Sequence, residues 1–134
     1  MDVPDLILAD YAAANQGGKF TLVGAGITEI GTKKVPCIHP LMFLLVRLRV
    51  TRQDIGKNKV TIRLVGEKGP VFKADAIIDV SDKQVGEQCI PMPIRLVNLK
   101  FDLAGDYRIE VLINGEEKQT QNLKIKQIEP QPVK

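Results

Sequence analysis

Two stretches constrain the fold of this chain more than anything else in it. Between positions 42 and 50 an apolar side chain falls at every second residue, Met42, Leu44, Val46, Leu48 and Val50, and the same pattern recurs at Phe72, Ala74, Ala76, Ile78 and Val80. A period of two is the repeat of an extended strand with one face in a core, whereas an amphipathic helix needs apolar positions three and four apart. Both stretches are therefore strands. Just before the second, Val60, Ile62 and Leu64 alternate with Thr61, Arg63 and Val65, and Glu67-Lys68-Gly69-Pro70 supplies a turn, so this pair forms a hairpin.

The remaining segments read as further strands and their connections. Residues 6–13 are mostly apolar and end at Asn15-Gln16-Gly17-Gly18, which predicts a strand, a tight reversal and a returning strand with Phe20 and Leu22 on one face. The phase then changes at Gly24-Ala25-Gly26, where a β-bulge is expected. From Gly31 to Pro40 two lysines and two prolines interrupt any periodicity, and the segment reads as a connection. Ser81 to Met92 reads as a loop crossing between sheets, and a second phase change near Val97-Asn98 predicts a second bulge. Asn114-Gly115 is a strong hairpin signal. A strict two-residue loop there would pair Ile113 with Glu116 and put Leu123 on the face of Arg108 and Glu110, so a three-residue loop or a bulge in the last strand is expected.

About eight strands at spacings of roughly ten residues, with no helical period, predict an all-β fold, an antiparallel β-sandwich of immunoglobulin-like type. A chain of 134 residues fits one core, so residues 1–127 are expected as a single domain, followed by an extended tail, 128–134, that carries Pro130 and Pro132. The charged fraction of 26% and hydrophobic fraction of 44% exclude the disordered and collagen-like classes. No apolar run approaches the ~20 residues of a membrane helix. The opening Met1-Asp2-Val3-Pro4-Asp5 is acidic where a secretion signal is basic. These features predict no membrane association and a cytoplasmic location, or incorporation into a larger particle. Cys37 and Cys89 are expected as free thiols, since a domain of this size holds itself together by apolar burial.

Read together, Leu8-Ala9-Asp10-Tyr11, Gly18-Lys19, Val23-Gly24, His39-Pro40 and Gly105-Asp106-Tyr107-Arg108 with Asn114-Gly115-Glu116 resemble a family of small bacterial domains of unknown function, over nearly the whole chain. The resemblance implies a compact β-sandwich, with no assigned activity and no functional residue to carry over. The Gly-Asp-Tyr-Arg to Asn-Gly-Glu segment is also similar to the last hairpin of many immunoglobulin-like bacterial domains, where it is structural.

The chemistry available to the chain is sparse. His39 is the one histidine, and Cys37, two residues away, would share its side of an extended segment, but a lone Cys-x-His lacks the surroundings of a nucleophilic site. Zinc asks for three or four Cys and His ligands, and the loop carboxylates Asp79, Asp82, Glu87, Asp102 and Asp106 match no calcium-loop spacing, so neither metal nor cofactor is expected. Glycines 17, 18, 24, 26 and 31 lie in a β-hairpin context, not between a strand and a helix as a phosphate cradle requires.

What remains is surface. Phe43, Leu45, Val65 and Ile77 are apolar residues at outward-facing positions, and Tyr11 sits beside Asp10 in the first strand. Contiguous exposed apolar area marks an interface. The leading expectation is a non-catalytic binding or assembly module that acts through a protein partner or a homo-oligomer, including a structural subunit of a phage-like particle. The alternative is a nucleic-acid-binding domain that uses Arg47, Arg49 and Arg63 as a basic face; against it, four Phe, two Tyr and no Trp leave few rings for base stacking.

Overall fold

The alternating stretches are strands, and some of the breaks in alternation are where the chain changes sheet. The computed structural model describes residues 1–86 and 89–128. Among them are ten strands: β1 (Asp2–Ala9), β2 (Tyr11–Ala14), β3 (Phe20–Val23), β4 (Glu29–Thr32), β5 (Cys37–Arg49), β6 (Gly56–Gly66), β7 (Gly69–Val80), β8 (Ile90–Phe101), β9 (Gly105–Ile113) and β10 (Glu116–Gln127). The fold is all-β. One sheet has three strands in the order β1-β5-β8, a second has five in the order β4-β10-β9-β6-β7, and β2 and β3 form a separate hairpin. Pairing is antiparallel except for β4, which runs parallel to β10, so the five-stranded sheet is mixed; it curves as a half-barrel.

The core lies between the two larger sheets. Met42, Leu44, Val46 and Leu48 of β5 have no exposed surface and meet Val60, Ile62 and Leu64 of β6, Ile109 and Val111 of β9, and Leu123 and Ile125 of β10. Each such side chain contributes roughly 1.5–3 kcal/mol by leaving water. Phe101 closes one end, its ring edge-on to Tyr107 at 5.0 Å between centroids.

Several connections differ from the sequence expectation. The apolar run 6–13 is not one strand. It breaks at Asp10, leaving β1 in the three-stranded sheet and β2 in the hairpin. After β3 there is no bulge. Gly24 and Gly26 adopt positive φ (61° and 92°) in a crossover that carries the chain to β4 in the other sheet. Residues 31–40 are not one connection, since β4 extends to Thr32 and β5 begins at Cys37. Pro40 is tolerated inside β5 because β1 pairs with β5 only as far as Ala9↔Phe43, so among the described residues no strand flanks Pro40 on that side. The count is ten strands where about eight were expected, because of the breaks at Asp10 and after Val23.

The phase change at Val97-Asn98 is present, since the buried positions change parity from Leu96 to Leu99 and Phe101. It is not the expected bulge: the pairing with β5 keeps one register from Cys37↔Phe101 to Leu48↔Ile90, and Asn98 takes up the change with a positive φ of 52°. The connection from β7 to β8 does cross between sheets, but it is shorter than the expected 81–92, because β8 begins at Ile90 and Ile90–Met92 are strand. At Asn114-Gly115 the loop has two residues, with Ile113 opposite Glu116, and the register is corrected by a bulge between Glu117 and Gln119. Leu123 thereby falls opposite Tyr107 with 1% of its surface exposed. Of the tail, Ile128 donates its N–H to the Thr32 carbonyl at 2.7 Å, and the rest of 128–134 lies outside the described residues. No helix among the described residues is long and apolar enough to cross a membrane.

Candidate functional site

The outer face of the three-stranded sheet is built by the odd-numbered residues of β5: Leu41, Phe43, Leu45, Arg47 and Arg49. Half of it is roofed by the β2–β3 hairpin, which lies against β5 and β8. Local sequence explains the roof. Asp10 interrupts the strand and its N–H donates to the carbonyls of Val23 and Gly24 at 3.0 and 3.3 Å. The N–H groups of Gly26 and Ile27 return to the Leu8 carbonyl at 2.8 and 3.1 Å, which clamps both ends of the hairpin to β1. The run Ala12-Ala13-Ala14 has side chains small enough for close approach, and Ala12 is buried.

Beneath this roof Leu45 has no exposed surface. As an exposed contact residue it is corrected: it points out of the main core yet is buried. Its position opposite Ile7 and Pro93 leads out of the main core, but the hairpin covers it. Arg47 is also engaged. Its guanidinium pairs with the Asp5 carboxylate and lies 5.2 Å from the centroid of the Phe20 ring. Its Nε is buried without a hydrogen-bond partner.

Where the hairpin ends, the same face stays apolar and open. Tyr11 packs on Phe43 with ring centroids 5.3 Å apart. Val23 lies opposite Tyr11, and Leu41 lies opposite Val97. Tyr11, Val23, Leu41 and Val97 are each about half exposed, at 47%, 55%, 45% and 45%. Phe43 links the two pairs, so the strip is continuous. Of the expected contact residues, Tyr11 and Phe43 are brought together here. Val65 and Ile77 are not: they sit on the five-stranded sheet, near opposite ends of the β6–β7 hairpin. Val23, Leu41 and Val97 were missed. Leu41 shares parity with Phe43, which is a signal the sequence offered; Val97 points outward by alternation with the buried Leu96, and the phase changes only beyond it, at Asn98.

The three arginines do not form one face. Arg47 and Arg49 are on β5, while Arg63 is on β6 in the other sheet, a correction that follows from the crossing between strands adjacent in sequence. Arg63 Nε donates to Glu110 Oε1 and Arg108 donates to Oε2, both at 2.7 Å. Burial works to raise the Glu110 pKa, but these two hydrogen bonds and charges outweigh it and hold the carboxyl below its ordinary value. Nearby, the Thr61 hydroxyl donates to Asp75 at 2.7 Å and Lys59 stands 3.7 Å away; Asp75 is likewise lowered, chiefly by that hydroxyl. The outer face of the five-stranded sheet therefore satisfies much of its own charge.

Cys37 and Cys89 are free thiols, half-buried and buried. Cys37 and His39 lie opposite Phe101 and Leu99 on β5. A cavity of about 260 Å³ opens between the β6–β7 turn and the loop before β9, lined by Lys68, Lys100, Asp102 and Tyr107 among others, and neither Cys37 nor His39 reaches it. Among the described residues no three His, Cys, Asp or Glu side chains come together to hold a metal. Glu87, one of the loop acids weighed for calcium, lies outside the described residues.

Residues 4–126 match the pattern of a family of unknown function, DUF6941. The chain belongs to this family. The match spans every strand from β2 to β9 in full, and membership assigns no activity. No curated protein matches the chain. Among solved structures, an alkylpurine DNA glycosylase, AlkC, of Pseudomonas fluorescens, bound to DNA containing an abasic site analog, is similar over 74% of this chain, with 15% identity and a TM-score of 0.47. The similar region is 28% of that protein's length, and a likeness this slight carries neither fold nor function across.

Proposed function

We propose that this chain is a non-catalytic binding module that acts through protein–protein contacts made by the open apolar strip beside the β2–β3 hairpin. The observation that carries the reading is the continuity of Val23, Tyr11, Phe43, Leu41 and Val97 on one outer face, with its apolar side chains half exposed. A monomeric domain has no use for such a surface in water, and a partner that covers it recovers the hydrophobic free energy. The hairpin that flanks the strip is anchored by backbone hydrogen bonds to β1 and by its contacts with β5 and β8.

The finer architecture is read as immunoglobulin-like. Three features support it: two sheets that exchange strands through crossing connections, a core between them, and the Tyr107 hydroxyl donating to the Leu103 carbonyl at 2.6 Å near the start of β9. A tyrosine that bonds back a few residues upstream at such a corner is a hallmark of those sandwiches. In them, outward faces and edges carry recognition, which is consistent with the proposed role.

The test is affinity capture from the native host with the full chain and with a Leu41→Glu, Val97→Glu variant. Both positions are about half exposed, so the variant is expected to fold. The reading stands if a partner held by the native chain is lost with the variant, and it fails if both chains recover the same proteins or neither holds any.

A further inference from the structure

The two larger sheets expose four edges, and three of them are blunted against pairing with another strand. β1 carries Pro4, and the Gln119 side-chain amide donates to its Val3 carbonyl at 3.2 Å. β8 carries Pro91 and Pro93, which remove two backbone donors. β4 is only four residues long. β7 is different. Its irregularity is confined to the start, where the register with β6 shifts between Leu64↔Phe72 and Val65↔Pro70. From Phe72 to Val80 it pairs with β6 without a break, contains neither Pro nor Gly, and has no strand on its other side among the described residues. A long regular edge with free N–H and C=O groups is a template for a further strand.

We propose that this edge pairs with the same edge of a second copy, antiparallel about a two-fold axis at Ala76, so that the two five-stranded sheets join across the dimer. The register follows from the strand itself. Ala76 is the midpoint of the regular stretch Phe72–Val80, so this axis alone brings all of it into pairing. It also sets Lys73 opposite Asp79 of the second copy, and Asp79 opposite that copy's Lys73, giving two equivalent cross-strand ion pairs. Moving the axis by one residue either way places Asp75 opposite itself or opposite Asp79, and like charges directly opposite are destabilising.

The charges are available for this. Lys73 and Asp79 are exposed, and neither joins an ion pair among the described residues. Within its own sheet Lys73 faces Arg63, a like charge already committed to Glu110, so an opposing Asp79 relieves it. On the inner face, Phe72, Ala74 and Ile78 are only partly buried, and the second copy would set Val80 against Phe72 and Ile78 against Ala74. Ile77, 63% exposed, gains a neighbour on the outer face.

The experiment is sedimentation of the full chain over a concentration series, with Lys73→Glu, the charge-swapped Lys73→Glu, Asp79→Lys chain, and Leu41→Glu, Val97→Glu as the third variant. The native chain is expected to reach twice 14.8 kDa. Lys73→Glu should raise the dimer Kd at least ~10-fold, because it sets like charges opposite each other twice, and the double swap should restore the dimer. A native chain that stays monomeric at every concentration overturns the inference, as does a dimer indifferent to Lys73→Glu. A dimer dissolved by Leu41→Glu, Val97→Glu instead would place the contact on the apolar strip and also overturn it. Host-partner capture by the strip is read separately, so either proposal can fail alone.

Discussion

The outward faces of the two larger sheets obey the same alternation rule and yet end in opposite physical states. On the three-stranded sheet, Leu45 points away from the core and is fully buried, because the β2–β3 hairpin folds over it. On the five-stranded sheet, Glu110 points away from the core and is also buried, at 2% exposure, but it lies between Arg63 and Arg108. One face is closed by a packed hairpin and the other by charge. Alternation tells which side chains leave the main core; it does not tell whether they meet water, a roof or one another.

The largest effect that would test this contrast is Leu45→Ala. If the hairpin makes a true second core, the loss should match that of Leu44→Ala, roughly 2–5 kcal/mol by urea unfolding, despite opposite parity. A loss near that of a surface residue would mean the roof does not exclude water. Gly24→Ala comes next. Its φ of 61° disfavours any side chain, and a methyl group there would collide with the side chain of Asp10, the residue whose backbone N–H anchors the hairpin. The expected cost is at least ~1 kcal/mol, and Leu45 should become accessible to solvent in the same variant, as read by hydrogen exchange of β5 amides.

Glu110→Gln sharpens the other side of the comparison. Both arginines are well exposed, at 38% and 54% for their side chains, so solvent screening limits the loss to about 1 kcal/mol near neutral pH. The folded carboxyl titrates below its ordinary value of 4.5, so its contribution is complete above that pH and fades as the pH falls through the lower folded value. Native and variant stabilities should therefore converge on acidification; a constant gap would show that the ion pairs are not its source. Smallest of all is Val97→Ser, on the unroofed end of the same face as Leu45, where a change within about 0.5 kcal/mol is expected.

Most of the fold was legible because burial imposes a strict period on strands that face a core. Met42 to Val50 and Val60 to Leu64 sit as their alternation requires, and the misfit of Leu123 with a two-residue turn foretold a correction in β10. Less was legible where elements were short. β4 has four residues, too few to show a period, and its second half falls in the segment that reads as a connection because of the lysines and prolines just after it. The candidate surface was half legible. Tyr11 and Phe43 could be suspected from polarity alone, but Leu45 was placed outside and Val65 and Ile77 were grouped with it, because residue parity carries no information about which sheet a strand joins.

The sequence by itself determined that this chain is all-β, where its main hairpins turn and which residues line the central core, since side-chain direction and turn chemistry are local properties of the backbone. Tertiary structure decided what lies over each outward face and which strands are left at the edges. Those depend on the crossings at Asp10, at Gly24 and between β7 and β8, where contacts between residues distant in the chain, not the local pattern, set the direction of travel.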